Sequence, residues 1–480
     1  MGQSLNNKVV KATKWSGITE IVSKLITPIS SMVLARLLTP EAFGVVTTLT
    51  MIITFAELFT DAGFQKYLIQ HDFKDELDRE QSTTVAFWSN FVMSMAIWGT
   101  ISLFAEQLAT LVGNPGLGNV LIIACVSIPL AAFSSIQMAL YKRDLDFKTL
   151  FKVRMVGVMI PLVVTIPLAF WLRSYWALVI GTIAHNTVNA VLLTAYSKWK
   201  PRIFYSFAKL KEMISFTIWS LIEAISIWLT SYVDVFIIGT VLSQYYLGLY
   251  KTSSTLVGQI MGLVTAATTP VLFSSLSKLQ NDDMAFRQLF FKFQKLVGLL
   301  IIPIGVGIFM YSSLITKIIL GEQWLESSGF VGLWGLTSAF AIIYSHYSSE
   351  VYRAKGKPKL SVLAQWLHII VLWPTVIISA KYGFETLYIS RSLVRFEMIL
   401  VNVVFMYYIM QISFLNMLRN TYPSLIASLA MAVVAYCITD IYESYVWQFF
   451  TMLLCAIIYL SIIIAFPNER KLLIKHILKR

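Results

Sequence analysis

Long apolar segments alternate with short polar ones along almost the whole chain, and each apolar segment has the length of a membrane-spanning helix. A helix needs about 20 predominantly apolar residues to cross the hydrocarbon core of a bilayer. Fourteen segments meet this requirement: 14–37, 42–65, 83–105, 118–140, 154–173, 175–197, 212–240, 243–273, 291–319, 328–351, 361–381, 384–410, 423–440 and 445–466. The pattern predicts an all-α polytopic membrane protein with about 14 transmembrane helices.

Composition points to the same class of protein. The chain has 480 residues, of which 57% are hydrophobic and 13% are charged. Soluble globular proteins have about 25% charged residues, so an ordinary soluble domain is excluded. The basic N-terminal segment is not followed by a short apolar core with a small-residue cleavage site, and we expect the first span to remain as an anchor. The three cysteines lie inside apolar segments without metal-ligand spacing, which predicts buried thiols and no metal site.

Lysine and arginine concentrate in alternate connecting segments. With the N-terminus inside, about 30 of the 38 basic residues lie in inner segments. The positive-inside rule then predicts a multi-pass membrane protein with both termini in the cytoplasm. The net charge of +13 is spread over short loops, so we expect contacts with anionic lipid headgroups and no binding of nucleic acid.

The chain contains an internal repeat. Leu38-Thr-Pro-Glu-Ala-Phe-Gly-Val45 aligns with Leu242-Ser-Gln-Tyr-Tyr-Leu-Gly-Leu249 at an offset of 204, and Tyr141-Lys-Arg143 matches Tyr352-Arg-Ala-Lys355 at an offset of 211. Six spans separate the copies, so the two halves share one orientation and are expected to form two parallel bundles around a central cavity. We predict an N-lobe over 1–205 (spans 1–6), a C-lobe over 206–415 (spans 7–12), and two extra C-terminal helices with a basic tail over 416–480.

Four spans carry a polar face, which a helix surrounded by lipid would not need. On span two, polar residues recur at spacings of three and four and therefore share one face: Thr47, Thr50, Thr54, Glu57 and Asp61. Span one places Glu20 and Lys24 as an i,i+4 ion pair, and span seven places Glu223 and Asp234 on one face. On span eight the polar face begins with Lys251, which the repeat aligns with Thr47. The pattern predicts that these faces line a water-filled cavity.

Basic side chains inside spans are the candidate substrate-binding residues. Each charge at a helix centre costs about 2.5–3.5 kcal/mol on insertion scales, so these residues should face a cavity or an ionic partner. Arg391 and Arg395 are one turn apart and form a fork suited to phosphate or carboxylate; the alternative is that they pair with Glu397, Glu350 or another intramembrane acid. The predicted substrate-binding residues are Lys24, Arg36, Lys251, Arg391 and Arg395.

Intramembrane acids are the candidates for ion coupling. An acid without a basic partner could bind a proton or Na⁺, and the predicted coupling residues are Glu57, Asp61, Glu223 and Asp234. The alternatives are a helix cap for Asp61 and static hydrogen-bonded contacts for Glu223 and Asp234. No cofactor other than a coupling H⁺ or Na⁺ is expected. The intramembrane histidines, which include His185 and His368, are interpreted as satisfied core imidazoles.

Several of these segments make the chain resemble the Wzx-type polysaccharide flippases of the multidrug/oligosaccharidyl-lipid/polysaccharide exporter superfamily. The segments are Arg36–Gly44 (RLLTPEAFG), Asp61–Phe64 followed by Leu68–Gln70, Ala139–Phe147 (ALYKRDLDF), Asp234–Gly239 and Leu247–Tyr250. The resemblance implies two six-helix lobes around a central, cationic cavity, with two extra C-terminal helices. The surplus of intramembrane acids departs from a purely cationic cavity.

The same resemblance implies a location in the bacterial inner membrane and a function, which is export of an undecaprenyl-diphosphate-linked oligosaccharide (O-antigen, capsule or exopolysaccharide) across that membrane by alternating access. It implies a lipid-linked oligosaccharide and membrane lipids as partners, with a polysaccharide polymerase and its chain-length machinery as further candidates. The alternatives are a cation-coupled multidrug exporter of the same superfamily and a peptidoglycan-precursor flippase. We do not expect an enzyme, because membrane glycan polymerases generally need a large outer loop and no outer segment here exceeds about fifteen residues.

Overall fold

The computed structural model describes the backbone of residues 2–61, 63–442 and 444–470, and the side chains of these residues except 2–13, 21, 61, 214–220, 222, 223 and 440. Over this part the chain is helical, and short π-helical or 3₁₀ segments join some of the helices. The α-helices are α1 (Gly2–Leu37), α2 (Pro40–Asp61), α3 (Phe64–Gln70), α4 (Glu76–Leu103), α5 (Ala105–Leu111), α6 (Gly118–Ala124), α7 (Ser127–Arg143), α8 (Phe147–Ile160), α9 (Ile166–Leu172), α10 (Trp176–Tyr196), α11 (Phe207–Val241), α12 (Gln244–Ser277), α13 (Asp283–Met310), α14 (Ser312–Ile319), α15 (Ser328–Ala341), α16 (Ser348–Ala354), α17 (Lys359–Ala380), α18 (Phe384–Leu393), α19 (Arg395–Met410), α20 (Phe414–Ile438) and α21 (Tyr445–Ala465).

Fourteen helical segments among the described residues are long and apolar enough to cross a membrane, which confirms the predicted number of spans. Some boundaries differ from the prediction. The segment predicted at 42–65 ends as α2 at Asp61 and is followed by the separate short helix α3, and the segment predicted at 291–319 is divided into α13 and α14. The segment predicted to begin at 423 begins at Phe414, because Ser413 caps the helix through its side chain and the polar first turns hide it from a hydropathy scan.

Prolines mark two features of the N-terminal half. Helix α2 begins at Pro40, where the missing N–H of proline costs no hydrogen bond. The fifth span is interrupted by a π-helical turn over Pro161–Thr165, which separates α8 from α9. Such turns widen a helix locally and are frequent at functional sites.

The chain forms two compact units, residues 1–251 and 252–480. Helix α12 begins in the first unit and continues in the second. The predicted boundary at 205/206 follows the sequence repeat rather than packing, and it stays a prediction.

The repeat is visible in equivalent hydrogen bonds within each unit. In the first unit, the Asn90 side-chain amide of α4 donates to the carbonyl oxygen of Ala132 at 3.4 Å. In the second unit, the Gln294 amide of α13 donates to the carbonyl oxygen of Ile343 at 3.4 Å. Asn90 and Gln294 are 204 residues apart, and Ala132 and Ile343 are 211 apart, so both offsets of the sequence repeat reappear in this contact.

The matched tyrosines of the repeat also have equivalent partners. The Tyr141 hydroxyl lies 3.5 Å from the carbonyl oxygen of Leu193, and the Tyr352 hydroxyl lies 3.3 Å from the carbonyl oxygen of Asn402. Arg143, in the same motif as Tyr141, donates to three carbonyl oxygens at the C-terminal end of α3. These motif residues therefore act as structural ties between helices.

Two equivalent glycines allow a close helix crossing inside the first unit. A Cβ atom added to Gly44 of α2 would overlap the backbone carbonyl of Gln244, and one added to Gly248 of α12 would overlap the backbone carbonyl of Pro40. Gly44 and Gly248 are 204 residues apart, as are Pro40 and Gln244. The start of each helix therefore packs against the start of its repeat partner, and only glycine permits this distance.

Candidate functional site

The first unit contains a cavity of about 390 Å³ within its membrane-spanning helices, which we call the N-unit cavity. Its walls come from α1, α2, the π-helical turn, α10, α11 and the first turns of α12. The lining residues are Leu34, Phe43, Val46, Thr47, Thr50, Pro161, Thr165, Leu178, Gly181, Thr182, His185, Tyr232 and Lys251. Most of this surface is apolar, with a few polar groups that converge on the space, as is typical of ligand-binding cavities.

Among the described residues that line the N-unit cavity, Lys251 is the one with a charged side chain. Its ammonium group lies 5.2 Å from the centre of the Tyr232 ring, a cation–π arrangement that holds the side chain against the wall. Thr47, its equivalent in the repeat, lines the same cavity. The close crossing at Gly44 and Gly248 brings these two positions together, since each lies one turn beyond a glycine.

Threonine hydroxyls add hydrogen-bonding capacity to the N-unit cavity that Lys251 lines. The hydroxyls of Thr47 and Thr50 donate to the carbonyl oxygens of Phe43 and Val46, each at 2.7 Å. Because these hydroxyls donate within the helix, their lone pairs remain able to accept hydrogen bonds from a ligand. Thr54, the next polar residue of the predicted face, instead accepts a hydrogen bond from Trp228 Nε1 at 3.2 Å.

His185 contributes a polar wall whose two ring nitrogens have protein partners. Nδ1 lies 3.1 Å from the carbonyl oxygen of Gly157, and Nε2 lies 2.9 Å from the side-chain amide nitrogen of Asn189. These contacts fit a neutral imidazole that donates from Nδ1 and accepts at Nε2. Residue 157 is glycine because a Cβ atom there would lie 2.8 Å from the His185 ring.

Lys24 and Arg36 lie on α1. Lys24 forms the predicted ion pair with Glu20, at 3.6 Å. It is ten residues before Leu34, so it lies about 15 Å along the helix from the N-unit cavity. Arg36 is exposed in the last turn of α1, where a positive charge interacts favourably with the helix dipole.

Asp234 is buried in the first unit. Its carboxylate accepts hydrogen bonds from the Tyr250 hydroxyl at 2.5 Å and from the backbone N–H of Val235 at 2.8 Å. This arrangement matches the static hydrogen-bonded alternative for Asp234. Glu57 is half-buried on α2, and the side chains of Asp61 and Glu223 lie outside the described residues.

Arg391 and Arg395 converge on one aromatic ring in the second unit. Their guanidinium carbons lie 5.0 Å and 3.2 Å from the centre of the Trp334 ring, and Arg395 also donates to the hydroxyl of Ser338. Cation–π contacts stabilise guanidinium groups away from water. We call Arg391, Arg395 and Trp334 the arginine–tryptophan cluster.

The two acids named as alternative partners of these arginines have other partners. Glu350 accepts a hydrogen bond from Arg353 at 2.6 Å, and Glu397 lies 2.8 Å from Nδ1 of His368. No sequence pattern selects Trp334 or Tyr232, because Trp and Tyr residues occur throughout the apolar segments. No pattern pairs His368 with Glu397 either, since Glu397 lies on the next span.

Comparison with known proteins identifies relatives along most of the chain. The family model described as "Polysaccharide biosynthesis protein" matches residues 33–329. The lipopolysaccharide biosynthesis protein WzxC of Escherichia coli K12 is 22% identical over 67% of this chain and 65% of that protein. The succinoglycan biosynthesis transport protein ExoT of Rhizobium meliloti is 23% identical over 76% of this chain and 73% of that protein.

A solved structure of the lipid II flippase MurJ, in an inward closed conformation, shares the fold. It superposes with a TM-score of 0.77 at 16% identity, covering 94% of this chain and 98% of that one. This likeness confirms a transporter fold of the MurJ type built from membrane-spanning helices.

Proposed function

The chain belongs to the polysaccharide biosynthesis protein family, and from this membership we propose that it is a flippase. Its substrate is a lipid-linked oligosaccharide, carried on a polyprenyl diphosphate and moved across the bacterial inner membrane by alternating access. The relatives WzxC and ExoT, named for lipopolysaccharide biosynthesis and succinoglycan transport, support a surface polysaccharide as the product. The likeness to MurJ concerns the fold alone and does not favour a peptidoglycan precursor.

The N-unit cavity is the observation that carries this proposal. A diphosphate and its hydrated sugars cannot cross about 30 Å of hydrocarbon without polar partners. Lys251 supplies a positive charge in surroundings of lower dielectric than water, where its attraction to an anion is stronger. The threonine hydroxyls that line the same cavity can accept hydrogen bonds from sugar hydroxyls. A volume of about 390 Å³ is small for an oligosaccharide, so we expect it to hold the diphosphate and the first sugar.

The arginine–tryptophan cluster is proposed as a second anion-binding position. Two guanidinium groups one turn apart can bind the separate oxygens of a diphosphate, which a single lysine cannot. Contact with the Trp334 ring positions both guanidinium groups. Arg36 and Lys24 are retained as candidate contacts on α1.

The membrane potential supplies a driving force for this export. An inside-negative potential favours outward movement of an anion by about 2.3 kcal/mol per charge per 100 mV. Coupling to H⁺ or Na⁺ through Glu57, Asp61, Glu223 or Asp234 stays a prediction. A polysaccharide polymerase with its chain-length machinery is proposed to take the exported unit.

Deletion of the gene tests the function directly. We expect surface polysaccharide to disappear and the lipid-linked repeat unit to accumulate in the inner membrane, measured by mass spectrometry of extracted lipids. A matched strain that also lacks the first glycosyltransferase of the pathway should not accumulate it. Unchanged polysaccharide with increased drug sensitivity would favour a multidrug exporter, and lethality in the matched strain would favour a peptidoglycan-precursor flippase.

A further inference from the structure

A histidine and a glutamate lie together inside the membrane-spanning part of the second unit. His368 of α17 and Glu397 of α19 lie 2.8 Å apart between Nδ1 and a carboxylate oxygen. The His368 side chain is 8% exposed and the Glu397 side chain 22%. A partly buried acid inside a membrane span is costly, and membrane proteins keep such groups chiefly for function.

The contact permits proton binding without rearrangement of the pair. A neutral imidazole donates from Nδ1 to the carboxylate, and a protonated imidazole makes the same bond. The added proton is therefore carried by Nε2, which has no hydrogen-bond partner among the described residues. The pair can gain or lose one proton while its internal hydrogen bond is retained.

The charges that surround His368 link it to the arginine–tryptophan cluster. Helix α17, which carries His368, packs against α18, which carries Arg391, and against α19, which carries Arg395 and Glu397. A positive imidazole is therefore attracted by Glu397 and repelled by the two arginines. Helix α16 also packs against α17, and its charged residues Glu350 and Arg353 pair with each other at 2.6 Å. The arginine pair is thus the positive charge that opposes proton binding at His368.

We propose that His368 is a proton-binding site whose occupancy is linked to anion binding at Arg391 and Arg395. An anion on the two guanidinium groups offsets their repulsion of the imidazolium, so anion and proton bind more tightly together than separately. The linkage is reciprocal: acid strengthens anion binding by the factor by which the anion strengthens proton binding. The inference rests on the proposed function.

Calorimetry on the purified full-length protein in lipid nanodiscs tests this linkage. The probe is farnesyl diphosphate, titrated near pH 6.5 in two buffers with different ionisation enthalpies, which reports the protons taken up on binding. We expect proton uptake by the wild-type protein and an affinity that increases about tenfold between pH 8 and pH 5.5. His368→Gln should bind the probe without proton uptake, with an affinity that changes less than about twofold over this range.

Two further variants keep the test specific. His346→Gln is the matched control, because His346 is another histidine of a membrane span whose Nε2 contacts the neutral Thr269 hydroxyl at 3.2 Å. It should retain wild-type proton uptake. Glu397→Gln keeps a hydrogen-bonding partner for His368 but removes the attractive charge, so its proton uptake should move to lower pH.

The outcomes separate this inference from the proposed function. Binding of the probe without proton uptake by the wild-type protein, or undiminished uptake by His368→Gln, overturns the linkage and leaves the flippase proposal standing. Unchanged binding and uptake after combined Arg391→Ala and Arg395→Ala substitution places the anion elsewhere and also overturns the linkage. Failure of the wild-type protein to bind any polyprenyl diphosphate contradicts the flippase proposal itself.

Discussion

Lys251 concentrates the positive charge of the N-unit cavity in one side chain. Hydrogen bonds to charged groups contribute about 1.5–3 kcal/mol, and 1.4 kcal/mol corresponds to a tenfold change in binding. Lys251→Ala should therefore lower export about tenfold to hundredfold, measured as surface polysaccharide in a complemented deletion strain. Lys251→Arg, which keeps the charge, should retain more export than the alanine variant.

The control for this substitution is Lys278→Ala, because Lys278 is an exposed lysine in the inner segment after α12. It should export at the wild-type level, and both variants should be present in the membrane in equal amounts. Wild-type export by Lys251→Ala at normal membrane levels would remove the N-unit cavity from the transport path.

The sequence could predict Lys251 and Thr47 because charge within a span, helical periodicity and the repeat all selected them. It could not predict Tyr232 or His185 as their neighbours, since these residue types occur in many spans with no distinguishing pattern. The Glu20–Lys24 pair was predictable because both residues lie on one helix. The His368–Glu397 contact joins two helices, and hydropathy contains no information on which faces of two helices meet.

At the scale of the helix, the close crossing of α2 and α12 depends on two glycines. Gly248→Val places side-chain atoms against the backbone carbonyl of Pro40, which cannot move without separating the helices. Overpacking of this kind costs about 1–3 kcal/mol or more. We expect a lower thermal unfolding midpoint for Gly248→Val, measured by intrinsic fluorescence of the purified protein.

Gly258→Val provides the control on the same helix, because a Cβ atom at Gly258 would meet nothing within 4 Å. It should unfold close to the wild-type temperature, and Gly44→Val should behave like Gly248→Val because the two positions are equivalent. Equal midpoints for Gly248→Val and Gly258→Val would contradict the crossing.

The helices themselves were largely predictable, because a bilayer imposes both their length and their apolar composition. The points at which a helix is interrupted or begins were not predictable from hydropathy. Helix α14 follows α13 after Tyr311 without any polar segment between them, so the two read as one continuous apolar span. Helix α20 begins with polar turns, which a hydropathy scan assigns to a loop.

At the scale of the whole chain, the two copies of the repeat join equivalent positions, even where the residue types at those positions differ. The first unit joins the start of α4 to the end of α7 through Arg79 and Asp144, at 2.9 Å. The second joins the start of α13 to the end of α16 through Asp283 and Lys355, at 2.6 Å. The positions correspond at the offsets of 204 and 211, but the charges are exchanged. An alignment that scores residue identity counts such a pair as a mismatch, although the interaction is the same.

The orientation of the chain in the membrane follows from the distribution of basic residues alone. Single cysteines in a variant without native cysteines test it. Pro115→Cys lies in a predicted outer segment and Asn281→Cys in a predicted inner one, and both positions are exposed. A membrane-impermeant maleimide should label Pro115→Cys in cells whose outer membrane alone is permeable, and Asn281→Cys only after the inner membrane is opened. The reverse pattern would place both termini outside, and it would contradict the orientation predicted from the basic residues.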